Sequence, residues 1–266
     1  MQSFLIIGIL SYVTLAAALF LMQRGMLYGP SNAAPDPSVV GLKDVTVTPI
    51  ETPDGETILL WHTPLLAGQP TVLFLHGNGG EIANRANRFA AYQSAGFNAV
   101  FVSYRGYGGS SGSPTENGLI TDALSAYDWV RSQGVAPRTI ALVGESLGTG
   151  VAVQLAAKRE VGALLLGAPF SAAVDVAAKR FPWLPVRILM KDQFRSRDYI
   201  GDVSVPILIQ HCTEDRVVPY EFGRALDEAA GENAQFVSVP GAGHQMLYGP
   251  EILQREISFI QSALPP

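Results

Sequence analysis

From Thr71 onward, short apolar runs alternate with longer segments that are apolar on one side. The runs have the length of strands and lack polar alternation, which indicates strands buried on both faces of a sheet. The longer segments repeat apolar residues at helical spacing, which predicts helices that cover this sheet. The predicted strands are Thr71–Leu75, Ala99–Tyr104, Thr139–Val143, Ala163–Leu166, Ile207–Gln210 and Gln235–Val239. The predicted helices are Ile82–Ala95, Thr115–Gln133, Leu147–Lys158, Tyr220–Ala230 and Glu251–Ala263.

A hairpin is predicted before this region. The segments Asp44–Ile50 and Thr57–His62 have strand character and flank a turn at Pro53-Asp54-Gly55. Because helices connect the later strands, right-handed crossovers would make those strands parallel. The predicted fold class is therefore α/β: a mostly parallel, doubly wound sheet with an antiparallel N-terminal hairpin. In such sheets the chemistry lies at the carboxyl ends of the strands.

The N-terminal segment differs from the rest because it is apolar on every side. Residues 1–23 carry no charged side chain, and Phe4–Met22 is almost wholly apolar. About 20 apolar residues are needed to cross a bilayer as a helix, so residues 1–24 are predicted to form a single-pass membrane anchor. A cleaved signal peptide is the alternative: Ala16-Ala17-Ala18 would suit cleavage, although the usual basic start is missing. Basic residues occur only after the span, which favours a cytoplasmic domain, but they are too few to fix the orientation.

Changes in composition divide the rest of the chain. Residues 25–42 are rich in proline, glycine and small residues, which is typical of a linker. Residues 43–266 form the predicted α/β domain. Within it, residues 171–200 have no place in the sheet and are predicted to form a short cap insertion over the site. Since every candidate functional residue lies after residue 43, we expect the domain to act on a soluble substrate without the anchor.

Composition and charge exclude several classes of protein. The chain has 266 residues, of which 48% are hydrophobic and 15% charged, so it suits one large domain and is too apolar to be disordered. The net charge of −5 and the lack of a basic cluster argue against a nucleic-acid partner. The single cysteine, Cys212, cannot form an internal disulfide and has no metal-ligand spacing around it. No metal or cofactor is predicted, and the oligomeric state is left open.

The pattern Gly-x-Ser-x-Gly occurs twice, around Ser110 and around Ser146. A nucleophile requires a strand that runs directly into this motif and a helix that leaves it, because the sharp turn lifts the hydroxyl above the sheet. Ser146 follows the run TIALV and precedes a helical segment, whereas a loop separates Ser110 from its strand. Ser146 is therefore the predicted nucleophile and Ser110 a loop residue. The alternative for Ser146 is a glycine-rich turn without chemistry.

A serine nucleophile needs a histidine base and an acid that orients the base, here in the chain order serine, acid, histidine. Only His211 and His244 follow Ser146 among the four histidines. His244 is the predicted base because it occupies a tight loop after the last strand, and His211 is expected to pack or to bond to the backbone. After the penultimate strand, Asp215 is preferred to Glu214 as the acid because it begins the turn D-x-x-V-P.

The transition state also needs N–H donors for its oxyanion. One is expected from Leu147, the residue after the nucleophile. The other is expected from the glycine-rich loop after the first core strand, at Asn78. His76 in the same loop is expected to be structural.

These segments together resemble a known family, the α/β-hydrolase superfamily. The resemblance is carried by LFLHGNGG, VFVSYRGYGGSSG, LVGESLG, PILIQHCTEDRVVP and VPGAGH. The loop Y-R-G-Y-G-x-S and the N-terminal span are similar to its subgroup of single-span membrane hydrolases, which is related to protein depalmitoylases and lysophospholipid lipases. The resemblance covers Lys43 to the C-terminus and implies the α/β-hydrolase fold and a Ser-Asp-His triad, but not a substrate. Cys212 departs from the pattern, which usually has glycine at this position.

The predicted function is hydrolysis of carboxylic esters or thioesters through an acyl-enzyme. Small or lipid-like acyl substrates are favoured because the anchor would hold the site near a membrane. Tyr107 and three cap residues, Phe181, Trp183 and Leu184, are candidates for the substrate pocket, with structural packing as the alternative for each. A serine peptidase and a catalytically silent binding protein on the same fold are the competing functional hypotheses.

Overall fold

The computed structural model of the chain describes residues 2–31, 33–241 and 243–264. Its main feature is a sheet of eight strands within these ranges. In chain order they are β1 Thr46–Glu51, β2 Thr57–His62, β3 Thr71–Leu75, β4 Asn98–Ser103, β5 Ile140–Glu145, β6 Ala163–Gly167, β7 Ile207–Cys212 and β8 Ala234–Val239. Their order in the sheet is β1-β2-β4-β3-β5-β6-β7-β8. β3 to β8 are parallel, whereas β1 pairs antiparallel with β2, and β2 antiparallel with β4.

Helices connect the parallel strands, as the apolar periodicity predicts. In chain order the α-helices are α1 Gln2–Leu27, α2 Ala86–Ser94, α3 Glu116–Ser132, α4 Leu147–Ala156, α5 Ala173–Arg180, α6 Val186–Leu189, α7 Tyr220–Ala230 and α8 Pro250–Ala263. The predicted helix 82–95 begins as a 3-10 turn, Ile82–Arg85, before it continues as α2. β5 extends two residues beyond its predicted end, so it leads directly into Ser146.

Each face of the sheet has its own hydrophobic core because successive strand residues point to opposite sides. Along β3, Leu73 and Leu75 belong to one core, and Val72 and Phe74 belong to the other. Helices α3, α4 and α7 contribute to the first core, and α2 and α8 contribute to the second. The predicted fold class, a doubly wound α/β sheet with an antiparallel N-terminal hairpin, is confirmed.

Helix α1 is long and apolar enough to cross a membrane. Its most apolar window of 18 residues has a mean hydropathy of 2.5, a value that N-terminal signal sequences also reach. None of its residues is fully buried. The half-buried ones are Ala16, Leu19, Phe20, Gln23 and Leu27, which recur at helical spacing and therefore form one face of the helix.

The segment predicted as a linker lies against the domain. Tyr28 is buried, and Gly29–Pro30 pairs in parallel with Gly79–Gly80, the loop that follows β3. Further along, a short 3-10 turn, Pro37–Val40, precedes the buried Leu42. Backbone pairing and apolar burial therefore hold the end of α1 close to the carboxyl edge of the sheet.

The cap insertion contains α5 and α6 and lies between β6 and β7. Its C-terminal part is fixed to two other elements through Asp192. The carboxylate of Asp192 forms an ion pair of 2.8 Å with Arg24 near the end of α1 and accepts a hydrogen bond of 3.1 Å from the N–H of Glu116 in α3. The cap thus joins the N-terminal helix to the body of the domain.

Candidate active site

The predicted nucleophile lies on a sharp turn between β5 and α4. Ser146 has φ 49° and ψ −116°, a conformation that residues with side chains rarely adopt and that costs about 1–3 kcal/mol. The flanking glycines allow it: a Cβ on Gly144 would lie 2.7 Å from the Gly148 carbonyl oxygen, and one on Gly148 would clash with the Leu75 carbonyl. Backbone contact therefore imposes the spacing Gly-x-Ser-x-Gly, and the turn holds Ser146 at the carboxyl end of β5.

Three side chains meet at this edge of the sheet. The Ser146 hydroxyl lies 3.0 Å from His244 Nε2, and His244 Nδ1 lies 2.6 Å from Asp215 Oδ2. Ser146, Asp215 and His244 follow β5, β7 and β8, respectively. Because parallel strands bring their carboxyl ends together, residues as far apart as 98 positions are brought into hydrogen-bonding contact.

Backbone groups hold the carboxylate of Asp215 in place. Its Oδ1 accepts hydrogen bonds from the N–H groups of Val217 at 2.8 Å and Val218 at 2.9 Å. Burial raises the pKa of Asp215, but the neighbouring imidazoles of His211 and His244 outweigh burial and hold that pKa well below its ordinary value. Asp215 is therefore an anion at neutral pH, with its Oδ2 directed at His244.

The residues weighed against the predicted triad have other surroundings. Glu214 is exposed to solvent. Ser110 donates a hydrogen bond to the Ser103 carbonyl (2.8 Å) and accepts one from the Leu59 N–H (3.0 Å), so it ties its loop to two strands. His211 is buried and donates to a backbone carbonyl at 2.9 Å, as expected.

The glycine-rich loop after β3 lies against the nucleophile. A Cβ built on Gly77 would lie 3.4 Å from the Cβ of Ser146. The Asn78 side chain donates to the last carbonyl of α1 (3.0 Å), and the Asn78 carbonyl accepts from the Tyr107 hydroxyl (2.9 Å), so this loop is braced on both sides. Asn78 and Leu147 line the same cavity as Ser146. Leu147 is the first residue of α4, where the N–H has no acceptor within its own helix.

His76 is completely buried beneath this loop. Its Nδ1 donates to the Gly77 carbonyl at 2.7 Å, and its ring packs against Tyr104 and Tyr107, with ring centroids 4.6 and 4.9 Å away. Burial, aided by the positive charge of Arg85, lowers the pKa of His76 to about 4. A neutral, packed imidazole is consistent with the structural role that we expected for it.

A buried ion pair lies directly beside the nucleophile. Glu145, the residue before Ser146, accepts a hydrogen bond of 2.6 Å from Arg85, the last residue of the 3-10 turn before α2. The Tyr248 hydroxyl donates to the same Glu145 oxygen at 3.2 Å and lies 3.3 Å from Arg85 Nη2. Tyr248 ends the 3-10 turn His244–Tyr248. The pair therefore connects the nucleophile turn to the segment that carries the predicted base.

A second buried arginine supports the same segment. Arg88 donates to the Leu247 carbonyl and pairs with Glu256 of α8, and Tyr92 donates to Glu256 at 2.7 Å. Sequence reasoning overlooked both arginines because their partners are distant along the chain. One signal for Arg85 was present in the sequence. Glu145 is an acidic residue at the end of an apolar strand, and a buried charge requires a partner.

A cavity of about 320 Å³ opens at Ser146, within the usual range for small-molecule sites. Its walls are mainly aliphatic and aromatic. Two of the four predicted pocket residues, Phe181 and Leu184, line it. Trp183 lies outside, half exposed, with its ring 6.4 Å from that of Phe181. Tyr107 is not a lining residue either: it is buried under the Asn78 loop, because its hydroxyl is needed there as a donor.

One wall of the cavity belongs to α1. The lining residues from this helix are Ala16, Leu19, Phe20, Gln23, Met26 and Leu27. No face of α1 could be expected here from the sequence, since the helix is apolar all round. Helix α1 therefore forms part of the space next to Ser146. That the domain acts on a soluble substrate without this segment stays a prediction.

Metal ligands form no cluster among the described residues. Within ranges 2–31, 33–241 and 243–264, no group of three or more His, Cys, Asp and Glu side chains could hold a metal ion. Cys212 is buried.

Comparisons with known proteins agree with the fold. Residues 70–189 match the family described as the alpha/beta hydrolase fold. An uncharacterized protein of Mycobacterium tuberculosis, Rv2307c, is 38% identical over 261 residues, which cover 95% of this chain and 90% of that protein. Lysophosphatidylserine lipase ABHD12 of Danio rerio is 30% identical over 230 residues, which cover 75% of this chain but only 60% of that protein.

Among solved structures, the esterase Pf2001 of Pyrococcus furiosus superposes with a TM-score of 0.73, covering 89% of this chain and 100% of the esterase. The sequence identity is 18%, so this likeness shows a common fold and no more.

Proposed function

The chain belongs to the alpha/beta hydrolase family, and we propose that it is a serine hydrolase that cleaves carboxylic ester or thioester bonds through an acyl-enzyme. The observation that carries this proposal is the hydrogen-bonded chain Ser146–His244–Asp215, with distances of 3.0 and 2.6 Å. A hydroxyl becomes an effective nucleophile when a base can take its proton and a buried anion orients that base.

In the proposed acylation step, Ser146 Oγ attacks the carbonyl carbon of the substrate while His244 Nε2 takes the hydroxyl proton. Asp215 accepts a hydrogen bond from Nδ1, which fixes the reactive tautomer and stabilises the imidazolium. The N–H groups of Leu147 and Asn78 would stabilise the oxyanion of the tetrahedral intermediate. His244 then gives its proton to the departing alcohol or thiol, and the acyl group stays on Ser146.

Deacylation uses the same groups in the same order. A water molecule attacks the acyl carbon while His244 takes a proton from it. The second tetrahedral intermediate collapses, the free acid leaves, and the proton on His244 returns to Ser146. The hydrolysis therefore consumes one water and requires no cofactor.

An acyl or lipid-like substrate is supported by the walls of the cavity. Leu147, Phe170 and Leu184 lie around Ser146, and such surfaces bind hydrocarbon by removing it from water. The zebrafish relative is named a lysophosphatidylserine lipase, so an ester of a lipid is within the chemistry of the family. We propose that α1 remains in the mature protein as a single membrane span and holds the site near such substrates.

Labelling with a fluorophosphonate probe tests the nucleophile, using the full chain in isolated membranes. Ser146→Ala is expected to abolish labelling, whereas Ser110→Ala, which alters the second Gly-x-Ser-x-Gly motif, is expected to retain it. Retained labelling of Ser146→Ala would overturn the assignment.

A substrate series tests the class of reaction. p-Nitrophenyl esters and acyl thioesters are expected to be cleaved, with aminoacyl and peptide substrates cleaved far more slowly. Preferred cleavage of peptides would make the chain a serine peptidase, and an absence of both labelling and turnover would support a silent binding protein.

A further inference from the structure

The face of α1 that contacts the cap includes polar groups deep within the apolar span. The Tyr12 hydroxyl donates to the Trp183 carbonyl at 3.0 Å. Nearer the end of the helix, Gln23 donates to the Leu189 carbonyl (3.3 Å) and accepts from the Lys191 N–H (2.7 Å). These contacts run along α1 from Arg24, which pairs with Asp192, as far as Tyr12.

The length of this contact determines how far the cap would reach into a bilayer. Arg24 is the first charged residue after the apolar run, so it marks the membrane boundary of a span formed by α1. Tyr12 lies twelve residues further in, which corresponds to about 18 Å along a helix. A hydrocarbon core is about 30 Å thick. A cap that contacts α1 as far as Tyr12 would therefore reach beyond the middle of the core if α1 stood upright.

The surface of the cap is suited to such a position. Its tip, residues 181–190, has the sequence FPWLPVRILM, with a single charge. Ile188 is 83% exposed and Trp183 is 48% exposed, although both are large apolar side chains. Arg187, the one charged residue of the tip, pairs with Asp175 at the start of α5.

Cationic side chains lie at both ends of this tip, at Arg180 and Lys191. The ammonium group of Lys191 lies 4.5 Å from the ring centroid of Phe20 of α1, about one helical turn further into the apolar run than Arg24. Arg180 ends α5 and lines the cavity mouth. Long basic side chains at this level can keep their charged ends at the headgroups while their stems lie in hydrocarbon.

From these observations we propose that residues 181–190 of the cap insert into the hydrocarbon layer beside α1, so that the cavity at Ser146 receives an acyl chain sideways from this layer. The partner is a lipid leaflet, and the acyl chain passes between Leu19 and Phe20 of α1 and Phe181 and Leu184 of the cap. This inference rests on the proposed membrane span and deepens the proposed function, because it makes the anchor helix a determinant of acyl-chain specificity.

A depth measurement tests the insertion independently of catalysis. The full chain with Ser146→Ala is reconstituted in phosphatidylcholine nanodiscs, and Ile188→Cys is labelled with an environment-sensitive nitrobenzoxadiazole dye. Cys212 is buried, so the dye reacts at the new thiol. The matched control is Gln133→Cys, an exposed position at the opposite edge of the sheet.

The dye at position 188 is expected to emit at shorter wavelength and to be quenched by nitroxides on the lipid acyl chains. At position 133 it is expected to be quenched by aqueous iodide only. Equal iodide quenching at both positions would overturn the insertion. Because Ser146 is absent from these proteins, the result is separate from the fate of the proposed hydrolase chemistry.

A second measurement tests the wall formed by α1. Leu19 lines the cavity, so Leu19→Trp is expected to fill it. Leu21→Trp makes the same change at a residue that is 79% exposed and does not line the cavity. The ratio of kcat/KM for a long-chain ester to that for a butyrate ester is expected to fall about tenfold in Leu19→Trp. The ratio and both rates should be unchanged in Leu21→Trp.

Leu19→Phe enlarges the side chain less than Leu19→Trp does, and it is measured as well because the tryptophan variant could fail to fold. Its ratio is expected to fall in the same direction. Identical ratios in the wild type and in both Leu19 variants would show that α1 does not contact the acyl chain. If the dye at position 188 lies in the hydrocarbon but the kcat/KM ratio is unchanged, the sideways route is overturned and the insertion stands. If the wild type hydrolyses no ester at all, the result counts against the proposed function.

Discussion

The guanidinium of Arg85 lies 2.6 Å from the carboxylate of Glu145, and both side chains are almost completely buried. Burial raises the pKa of Glu145, but the charge and hydrogen bonds of Arg85 outweigh it and lower that pKa. The pair therefore remains ionised next to Ser146. Since Tyr248 also contacts both members, the pair determines how the nucleophile turn and the His244 segment are held together.

Removing one charge of this pair should lower the free energy of unfolding more than removing both charges. Arg85→Met would leave the Glu145 charge buried without a partner, which costs roughly 3–5 kcal/mol. The double variant with Glu145→Leu is expected to recover most of this loss, because neither charge is then buried. Thermal unfolding of the full chain in detergent measures both, and a double variant less stable than Arg85→Met would contradict this explanation.

Asp215 should be needed for turnover and Glu214 should not. Asp215→Asn keeps the shape of the side chain but favours the wrong tautomer of His244, so kcat is expected to fall by about 10⁴. Glu214→Gln alters an exposed neighbour and should have almost no effect. Steady-state kinetics on a soluble ester checks both, and a greater loss from Glu214→Gln would refute the choice of acid.

His76 should make the folded state sensitive to acid. Its pKa of about 4 lies below the ordinary 6.5, so the unfolded chain takes up this proton first as the pH falls. Above pH 6.5 His76 is neutral in both states, and the stability that its buried neutral form provides is fully present. Between pH 6.5 and 4 the protonation of the unfolded chain lowers the free energy of unfolding by about 3 kcal/mol. His76→Phe keeps an aromatic ring between the two tyrosines and removes this proton.

The measurement is the thermal midpoint of wild type and His76→Phe at several pH values in detergent. The variant is expected to be less stable at pH 8, where it lacks the hydrogen bond to Gly77, but to lose less stability on acidification. Parallel pH curves would show that protonation of His76 contributes nothing to acid unfolding.

Mass spectrometry of the native N-terminus tests the membrane span. A retained α1 predicts a chain that includes residues 2–27 and stays with the membrane after extraction with alkaline carbonate. A mature chain that starts near Ala18 or Ala34 would identify a signal peptide and end the anchor proposal.

The sheet and the order of the proposed triad could be predicted because each depends on a local pattern. The run TIALV followed by Gly-x-Ser-x-Gly specifies a strand and a sharp turn within a few residues. Likewise, His244 and Asp215 each follow a buried strand. Their meeting was predictable from the geometry of parallel sheets, without any knowledge of side-chain contacts.

The contacts of α1 with the cap could not be predicted in this way. A helix that is apolar on all sides gives no sign of which face is covered, so Leu19 and Leu21 are equivalent in the sequence. Trp183 and Tyr107 were misplaced for a related reason: an aromatic residue near a site suits either the cavity or the packing beneath it. The choice depends on side-chain directions and on donors such as the Tyr107 hydroxyl, which only the folded chain reveals.

If α1 spans a membrane as proposed, its position also links the cavity to the physical state of that membrane. The helix is held at its C-terminal end by Arg24 and by the pairing of Gly29–Pro30, and one face of it contacts the cap as far as Tyr12. In a membrane its other faces would contact lipid. A transmembrane helix adjusts its tilt to the hydrophobic thickness of the bilayer, and such a tilt would strain the hydrogen bonds of Tyr12 and Gln23 to the cap and would move Leu19 and Phe20 relative to it. In a thin and a thick bilayer the same enzyme would then present acyl sites of different width, so its turnover would report membrane thickness.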